Sequence, residues 1–358
     1  MPIPAHLRAL GSQQPPYCRT REFSQLTYEI LDGLGYVFQT AGSVMILTGS
    51  GTAAMETVVL NFLGPDDKAL VINAGTFGQR WCDLCEVHGI SYESLGLEAG
   101  ADLDLDHLAA ALSQTQGVTV LFVTAHETSS GALFDIQAIG RMAHDLGVLL
   151  IVDAISTICA DRFLMDDWHV DIAVLSSQKG LALPPGLAFI AMGERALARL
   201  ESIQPRTLYL DVKQYLSNQE RGQLPFTPAI GLLVQLHQRL LDIKNMTLDH
   251  LVQQHQEKAS DFREALKTLP FGTLPSRPSN AMTTVTCGDL DAYEIVQALR
   301  TEHAIEVAPN GGDLKHRVFR VSHMGEHGPE DFSALIRALE QITARLLLPA
   351  ASEMRGEA

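Results

Sequence analysis

Lys179 directly follows an apolar, strand-like run in the stretch Val174-Leu175-Ser176-Ser177-Gln178-Lys179-Gly180-Leu181. An ammonium group in such a place is costly to desolvate unless it is paired or covalently occupied. A second apolar run, Val148-Leu149-Leu150-Ile151-Val152, ends at Asp153, which precedes Lys179 by 26 residues. Two charged side chains at the ends of two strand-like runs indicate a chemical site rather than a packing role.

Lys179 and Asp153 resemble the two protein groups that a pyridoxal phosphate enzyme needs. The lysine amine forms a Schiff base with the cofactor aldehyde. The carboxylate holds the proton of the pyridine nitrogen, so that the ring can draw electrons from a substrate carbanion. Either residue alone would be weakly specific, but together they predict a pyridoxal 5'-phosphate site with Lys179 and Asp153 as its catalytic residues.

The composition is that of a globular protein. The chain has 358 residues, of which 46% are hydrophobic, and a net charge of -16. Its length predicts one large domain and a smaller one. We find no apolar stretch long enough to cross a bilayer, and the negative charge disfavours nucleic acid and acidic membrane surfaces as partners. The expected partners are therefore small molecules.

Five cysteines are an odd number, in a chain that opens without a signal-peptide pattern. This predicts a reduced, cytoplasmic location. Cys82 and Cys85 form a C-x-x-C pair inside a helical pattern. Such a pair could be redox-active or bind a metal, but no second ligand pair accompanies it. Packing is the favoured interpretation, and we predict no metal site.

Strand-like runs alternate with helical patterns, which predicts an α/β fold with a largely parallel sheet. For the large domain the patterns predict strands at 44–47, 69–72, 118–123, 148–152, 172–175 and 187–192, and helices at 52–63, 78–88 and 135–146. Beyond a polar break at 204–227 come long helices, then strands at 282–286 and 318–321 and a helix at 329–347. The predicted organisation is an N-terminal segment 1–20, a large domain 21–235 and a small C-terminal α/β domain 236–358.

A loop of small residues, Thr48-Gly49-Ser50-Gly51-Thr52-Ala53-Ala54-Met55-Glu56, joins the first predicted strand to its helix. It exposes backbone amides at a helix N-terminus, where a phosphate is favoured. An ordinary capped turn is about as compatible with this loop. Gly49-x-Gly51 also resembles a dinucleotide-binding fingerprint, although Ala54 replaces the third glycine. These interpretations stay open on the loop alone.

Two further loops follow strands, where an α/β sheet gathers its ligands. In Asn73-Ala74-Gly75-Thr76-Phe77-Gly78-Gln79, the aromatic Phe77 could cover a flat cofactor ring or plug the core. Thr124-Ala125-His126-Glu127-Thr128-Ser129-Ser130-Gly131 carries hydroxyls that could reach a cofactor or a substrate. The alternative is a solvated turn in which His126 and Glu127 pair with each other.

These motifs together resemble the class V aminotransferases of pyridoxal phosphate fold type I, near the alanine:glyoxylate, serine:pyruvate and 2-aminoethylphosphonate:pyruvate enzymes. The similarity covers about Thr20 to Leu347 and implies a large domain with a mostly parallel seven-stranded sheet, plus the smaller domain. The matching motifs are Gly35-Tyr36-Val37-Phe38-Gln39-Thr40, Gly49-Ser50-Gly51-Thr52 with Glu56, Gly78-Gln79-Arg80, Glu127-Thr128-Ser129 with Gly131, Val152-Asp153, Ser176-Ser177-Gln178-Lys179, Pro184-Pro185-Gly186, and Phe319-Arg320-Val321 with Met324-Gly325.

The resemblance implies a role for each matching residue. Lys179 would carry the cofactor and move the proton, and Asp153 would pair with the ring nitrogen. Ile155 and Phe77 would cover the two faces of the ring, and Thr128 and Ser129 would lie on its phenolic side. Arg320 would bind the substrate carboxylate, for which a guanidinium fork is well shaped. The phosphate would be held by Ser50, Gly51, Thr52 and Gln178, with Thr227 reaching it from the second subunit of a homodimer.

Two departures from the family pattern concern the substrate and the phosphate. The chain opens at Met1-Pro2-Ile3-Pro4, which leaves open any substrate contact from the N-terminus, and Leu224 stands where several relatives carry a phosphate-binding tyrosine. The implied reaction is a two-stage transamination between a small amino acid, of alanine, serine or 2-aminoethylphosphonate type, and glyoxylate or pyruvate. A class V lyase or desulfurase is the alternative, and a nicotinamide-dependent oxidoreductase is a remote one.

Overall fold

The computed structural model describes residues 1–347, which form a large sheet flanked by helices and a smaller sheet. The strands are Ser43–Thr48 (β1), Lys68–Asn73 (β2), Ser91–Gly96 (β3), Val118–Thr124 (β4), His126–Glu127 (β5), Ala132–Leu133 (β6), Leu149–Asp153 (β7), Ile172–Ser176 (β8), Leu187–Met192 (β9), Gly272–Thr273 (β10), Met282–Thr286 (β11), Ala308–Pro309 (β12) and Val318–Ser322 (β13). The helices are Ala5–Gly11 (α1), Arg21–Phe38 (α2), Gly51–Phe62 (α3), Thr76–Val87 (α4), Leu105–Gln114 (α5), Ile136–Asp145 (α6), Glu194–Ser202 (α7), Val212–Gln219 (α8), Ile230–Met246 (α9), Leu248–Leu266 (α10), Ala292–His303 (α11) and Pro329–Leu347 (α12).

The large sheet has seven strands in the order β1-β9-β8-β7-β4-β2-β3. Strand β9 runs antiparallel to both of its neighbours, β1 and β8, and the remaining pairs are parallel. The mostly parallel seven-stranded sheet is therefore confirmed. Because β9 is reversed, the turn that joins β8 to β9 lies at the edge where the parallel strands end. That turn contains Lys179.

Burial explains why these segments are strands. All residues of β7, β8 and β9 are buried, as expected of sheet strands that helices cover on both faces. Strand β3 is different, because it lies at the edge of the sheet and buries only Leu95. Its largely exposed sequence carries no strand pattern, and the sequence analysis did not predict it.

The smaller sheet is antiparallel, with the order β10-β11-β13-β12. Its face packs on α10, α11 and α12 around a separate cluster that includes Phe262, Leu299, Phe319 and Leu339. The boundary predicted between residues 235 and 236 lies within α9, and the division into domains stays a prediction. Residues 348–358 of the predicted small domain lie outside the described residues. Within residues 1–347, no helix combines the length and the apolar character needed to span a membrane.

Candidate active site

The two predicted catalytic residues lie at the same edge of the large sheet. Asp153 is the last residue of β7, and its register partners are Thr124 at the end of β4 and Val174 near the end of β8. Lys179 lies three residues beyond the end of β8, in a single turn of 3-10 helix. Parallel strands thus bring residues that are distant in the sequence to one place.

Asp153 is a buried carboxyl with one oxygen occupied. It is 4% exposed, and its Oδ1 accepts the backbone N–H of Ile155 at 2.9 Å. The pKa of Asp153 is raised to about 6, chiefly by burial and also by nearby Glu127, whereas the hydrogen bond from Ile155 and the charges of Arg80 and Lys179 oppose the shift. A cationic partner would restore the ionised form, because a positive charge stabilises a buried carboxylate.

Lys179 lines a cavity of about 700 Å³, together with Gln178, Thr128 and Arg320. Burial lowers the pKa of Lys179, the positive charge of Arg320 lowers it further, and Asp153 opposes both. A lysine amine acts as a nucleophile or base only in its neutral form, so both effects favour chemistry at Nζ.

Arg320 extends from β13 of the smaller sheet into the same cavity. Its Nη1 donates to the carbonyl of Thr128 and its Nη2 to the carbonyl of Pro309, both at 2.9 Å. Its buried Nε has no hydrogen-bond partner within residues 1–347. Two neutral carbonyls fix the guanidinium without cancelling its charge. The group can therefore attract a carboxylate.

The glycine-rich loop leaves donors free at the start of α3. Ser50 is the N-cap residue, but its side chain makes no capping hydrogen bond, and the first amides of a helix have no acceptor inside it. A Cβ added to Gly51 would lie 2.3 Å from Cδ1 of Ile155, so a larger residue there would displace the end of the Ile155 side chain. The buried Oε1 of Gln178 also lacks a partner within the described residues. These unpaired groups fit a phosphate and the polar edge of a cofactor.

Two residues without a predicted role, Arg80 and Glu127, organise the wall that carries Phe77. The Arg80 guanidinium lies 4.8 Å from the centre of the Phe77 ring, and its Nη1 donates to Oγ1 of Thr52 at 3.2 Å. Oε2 of Glu127 accepts the backbone N–H groups of Phe77 and Gly78 at 3.0 and 2.9 Å. A carboxylate at the N-terminus of α4 is favoured by the helix dipole.

The suggestion that His126 and Glu127 pair with each other is wrong. They are consecutive residues of β5, so their side chains point to opposite sides. Nδ1 of His126 lies 3.4 Å from the carbonyl of Ser156, and burial lowers the pKa of His126 to about 3. The turn is also not solvated, because Glu127, Thr128 and Ser130 are buried.

Of the three remaining predicted residues, Thr128, Ser129 and Thr227, one lines the cavity of Lys179. Thr128 lines the cavity, whereas Ser129 bonds Glu127 through both its N–H and its hydroxyl. Thr227 is exposed and is not among the residues that line the cavity of Lys179. Met1 and Pro2 do line it, which gives the N-terminal segment a place at the cavity wall.

Comparison with solved structures assigns the fold. An alanine–glyoxylate aminotransferase from Nostoc sp. superposes with a TM-score of 0.91 at 29% identity, over 95% of this chain and 92% of that one. An aspartate aminotransferase from Thermus thermophilus superposes with a TM-score of 0.89 at 27% identity, over 97% of each chain. The architecture is that of the fold type I pyridoxal phosphate aminotransferases.

Sequence comparison then assigns the family. Residues 17–324 match the family described as Aminotransferase class-V. An L-aspartate–glyoxylate aminotransferase of Paracoccus denitrificans is 30% identical over 97% of this chain and 90% of its own length. A Synechococcus sp. protein named soluble hydrogenase, small subunit, is 32% identical over 96% of this chain and 91% of its own. The chain belongs to the class V aminotransferase family.

This membership makes the protein a pyridoxal phosphate-dependent enzyme that moves an amino group between an amino acid and a 2-oxo acid. Two observations concern the metal site and the desulfurase cysteine discussed for the sequence. Residues 1–347 contain no group of three or more His, Cys, Asp or Glu side chains placed to hold a metal ion. The five cysteines are free and buried, and none lines the cavity of Lys179.

Proposed function

We propose that Lys179 holds the cofactor aldehyde through Nζ, that Asp153 pairs with the ring nitrogen, and that Arg320 binds the substrate carboxylate. One observation carries this proposal. Lys179, in the turn after a strand of the large sheet, and Arg320, in a strand of the smaller sheet, line the same cavity. Once bound, the cofactor's protonated ring withdraws electrons from the substrate Cα. Displaced from the aldehyde by the substrate amine, Nζ of Lys179, whose pKa burial lowers, would be free to remove the proton from Cα.

The other predicted residues fit supporting roles. Ser50, Gly51, Thr52 and Gln178 are proposed to hold the phosphate. The free backbone amides at the start of α3 and the uncapped Ser50 side chain support this role for the loop. Phe77 and Ile155 would flank the ring. Thr128 and Ser129 would lie on its phenolic side, where Thr128 contributes to the cavity wall. Arg80 and Glu127 fix Phe77 and the start of α4 without taking part in the reaction.

The cavity favours a small donor with one anionic group. Among the described residues that line it, Lys179 and Arg320 are the only lysine or arginine, whereas Glu306 and Asp331 are acidic. Beyond these two side chains, the cavity offers a second carboxylate or a phosphonate dianion no lysine or arginine to pair with. We propose alanine or serine as donor, in preference to aspartate or 2-aminoethylphosphonate, with glyoxylate or pyruvate as acceptor.

One set of half-reactions tests this proposal. The purified protein, loaded with pyridoxal phosphate, is mixed with one amino acid at a time, and the loss of the cofactor's visible absorption is followed together with the 2-oxo acid produced. Alanine or serine should react faster than aspartate, and Lys179→Ala should not react. Release of ammonia or sulfide, or a faster reaction with aspartate, would contradict the proposal.

We further propose a cytoplasmic homodimer. Free, buried cysteines support a reducing compartment. Leu208 and Tyr209 are 71% and 43% exposed, and the Tyr209 hydroxyl donates to the carbonyl of Thr48 beside the glycine-rich loop. Exposed apolar side chains beside the phosphate loop support a face covered by the second subunit, whose Thr227 would reach the phosphate.

Hybrid dimers test the contribution of Thr227. Thr227→Val should weaken cofactor binding, and Lys179→Ala should abolish the reaction. A hybrid of these two variants should regain one site of normal affinity, since the site that keeps Lys179 then receives Thr227 from the other subunit. A monomer at micromolar concentration, or a hybrid with no such site, would contradict the proposal.

A further inference from the structure

A buried arginine lies behind the turn that carries Lys179. Arg239 belongs to α9 and is 7% exposed. Its Nε donates to the backbone carbonyl of Leu181 at 3.0 Å. Within residues 1–347 it forms no salt bridge, and Asp242 and Glu326 attract it only from a greater distance. Burying a charge without an ion-pair partner is costly. The hydrogen bond from Arg239 to the carbonyl of Leu181 offsets part of that cost.

The segment 177–186, here the lysine turn, has an unusual backbone. Lys179 and Ala182 have φ values of 71° and 54°, in the left-handed region that L-residues seldom adopt. The N–H of Ala182 donates to the carbonyl of Lys179 at 2.9 Å and closes the turn. A left-handed backbone is strained for an L-residue, so the conformation persists only where the surroundings enforce it.

Side-chain contacts from the large sheet enforce one part of the lysine turn. Oγ of Ser177 donates to the carbonyl of Pro184 at 2.7 Å and accepts the N–H of Leu187 at 3.2 Å. Gly180 packs so closely that an added Cβ would lie 2.2 Å from the carbonyl oxygen of Ile158. These contacts leave the carbonyl of Leu181 to be held from another side.

Helix α9 supplies that side. Leu232 and Arg239 are seven residues apart and therefore lie on one face of the helix. Leu232 packs against Gly186 at one end of the lysine turn, where an added Cβ would lie 2.6 Å from its Cδ1. Arg239 holds the carbonyl of Leu181 in the middle of the turn. The helix thus buttresses the lysine turn at two points.

We propose that Arg239 is a positioning residue: through the carbonyl of Leu181 it fixes the lysine turn, and with it the place of Lys179 Nζ in the cavity. The inference rests on the proposed role of Lys179. It adds a residue 60 positions away that touches neither cofactor nor substrate. The hydrogen bond joins the lysine turn to α9, the helix that precedes α10 in the chain.

Hydrogen–deuterium exchange of the cofactor-free protein tests the proposal without any catalysis. Arg239→Met should speed exchange of the Ala182 and Leu183 amides by roughly tenfold, the equivalent of one lost hydrogen bond. Gln235→Met is the matched control, because Gln235 is a buried residue on the same helix whose Nε2 donates to the carbonyl of Leu7 at 2.7 Å. It should speed exchange in α1 and leave the lysine turn unchanged. Unchanged Ala182 and Leu183 exchange in Arg239→Met would overturn the proposal.

The loaded enzyme supplies a second measurement. Arg239→Met should shift the pH midpoint of the cofactor's visible absorption and lower kcat roughly 10- to 100-fold with little change in KM. Arg239→Lys keeps a charged donor and should show smaller changes in the same direction. If Arg239→Met does not fold, Arg239→Lys replaces it in the test. Wild-type values of the pH midpoint of absorption and of kcat in Arg239→Lys would then overturn the proposal. Lys179→Ala tests the assignment of Lys179 separately. If that assignment were wrong, this variant would keep the absorption band of the covalently bound cofactor.

Discussion

Glu127 accepts the backbone N–H of Phe77 at 3.0 Å, and this bond attaches the loop after β4 to the first turn of α4. The same carboxylate also accepts the N–H of Gly78 and both donors of Ser129. One buried side chain therefore fixes the proposed ring-stacking residue and the proposed phenolic-side residue relative to each other. Loss of this acceptor would remove a hydrogen bond from each of Phe77, Gly78 and Ser129.

Glu127→Gln should weaken cofactor binding and stability together. An amide keeps one acceptor oxygen but turns an NH₂ group toward backbone N–H donors, which leaves buried donors unpaired at a cost of about 1–3 kcal/mol. Thermal unfolding and the dissociation constant of pyridoxal phosphate check this. Glu86→Gln, at an exposed position of α4, is the control and should change neither quantity. Equal effects of the two substitutions would sink the prediction.

Arg320→Gln should cost the enzyme its preference for carboxylated donors. Losing a charge-assisted contact to the α-carboxylate should lower kcat/KM for alanine roughly 10- to 100-fold. The reaction with ethylamine, which has no carboxylate, should hardly change. Arg317→Gln, on an exposed side chain three positions earlier, should leave both rates unchanged. If Arg320→Gln slowed alanine and ethylamine alike, the carboxylate assignment would be wrong.

The sequence predicts those strands whose residues are buried, because burial requires a continuous run of apolar residues. Strands β7 and β8 are buried along their whole length, and their continuous apolar runs predict them. Strand β3 escapes prediction because an edge strand with one buried residue, Leu95, needs no apolar pattern. Its place is determined by backbone pairing with β2, which no side chain in its own sequence records.

The same distinction holds within the site. Asp153 and Lys179 are predictable because each follows a strand, and parallel strands end at one edge. Arg80 and Glu127 act on residues 28 and 50 positions away, at Thr52 and Phe77. Only the packing of α4 against α3 and β5 makes these contacts. A loop motif therefore indicates that polar groups gather, but not which of them face each other.

Gly180→Ala should disrupt the lysine turn. The added methyl would lie 2.2 Å from the backbone carbonyl oxygen of Ile158 and 2.8 Å from the side-chain Cβ of Cys159. Both residues are buried, so neither atom can move away easily. We expect a loss of stability of at least about 2 kcal/mol and loss of covalent cofactor attachment. Gly231→Ala on α9 meets nothing within 4 Å and should stabilise the protein by roughly 0.5–1 kcal/mol. Chemical denaturation should show that the two substitutions change the free energy of unfolding in opposite directions. An unchanged free energy of unfolding in Gly180→Ala would refute this account.

Asp161 makes the stability of the cofactor-free protein depend on pH. Its carboxylate accepts the backbone N–H of Asn280 at 2.9 Å and the hydroxyl of Ser279, so it joins the large sheet's loop to the start of β11. Burial raises the pKa of Asp161 to about 6, outweighing these hydrogen bonds and the attraction of Arg263. The folded state therefore holds the proton more tightly than the unfolded chain, whose aspartates titrate near pH 4.

A raised carboxyl pKa contributes stability that is full below the pKa of the unfolded chain and is lost as the pH rises through about 6. From pH 4 to 7 the contribution of Asp161 should fall by about 2 kcal/mol. Asp161→Asn removes this titration, so the free energy of unfolding of wild type minus that of the variant should fall by that amount over this range. Asp167→Asn, at an exposed position six residues later, is the control for the loss of one carboxylate. A constant difference for Asp161→Asn would show that its carboxyl does not titrate in this range.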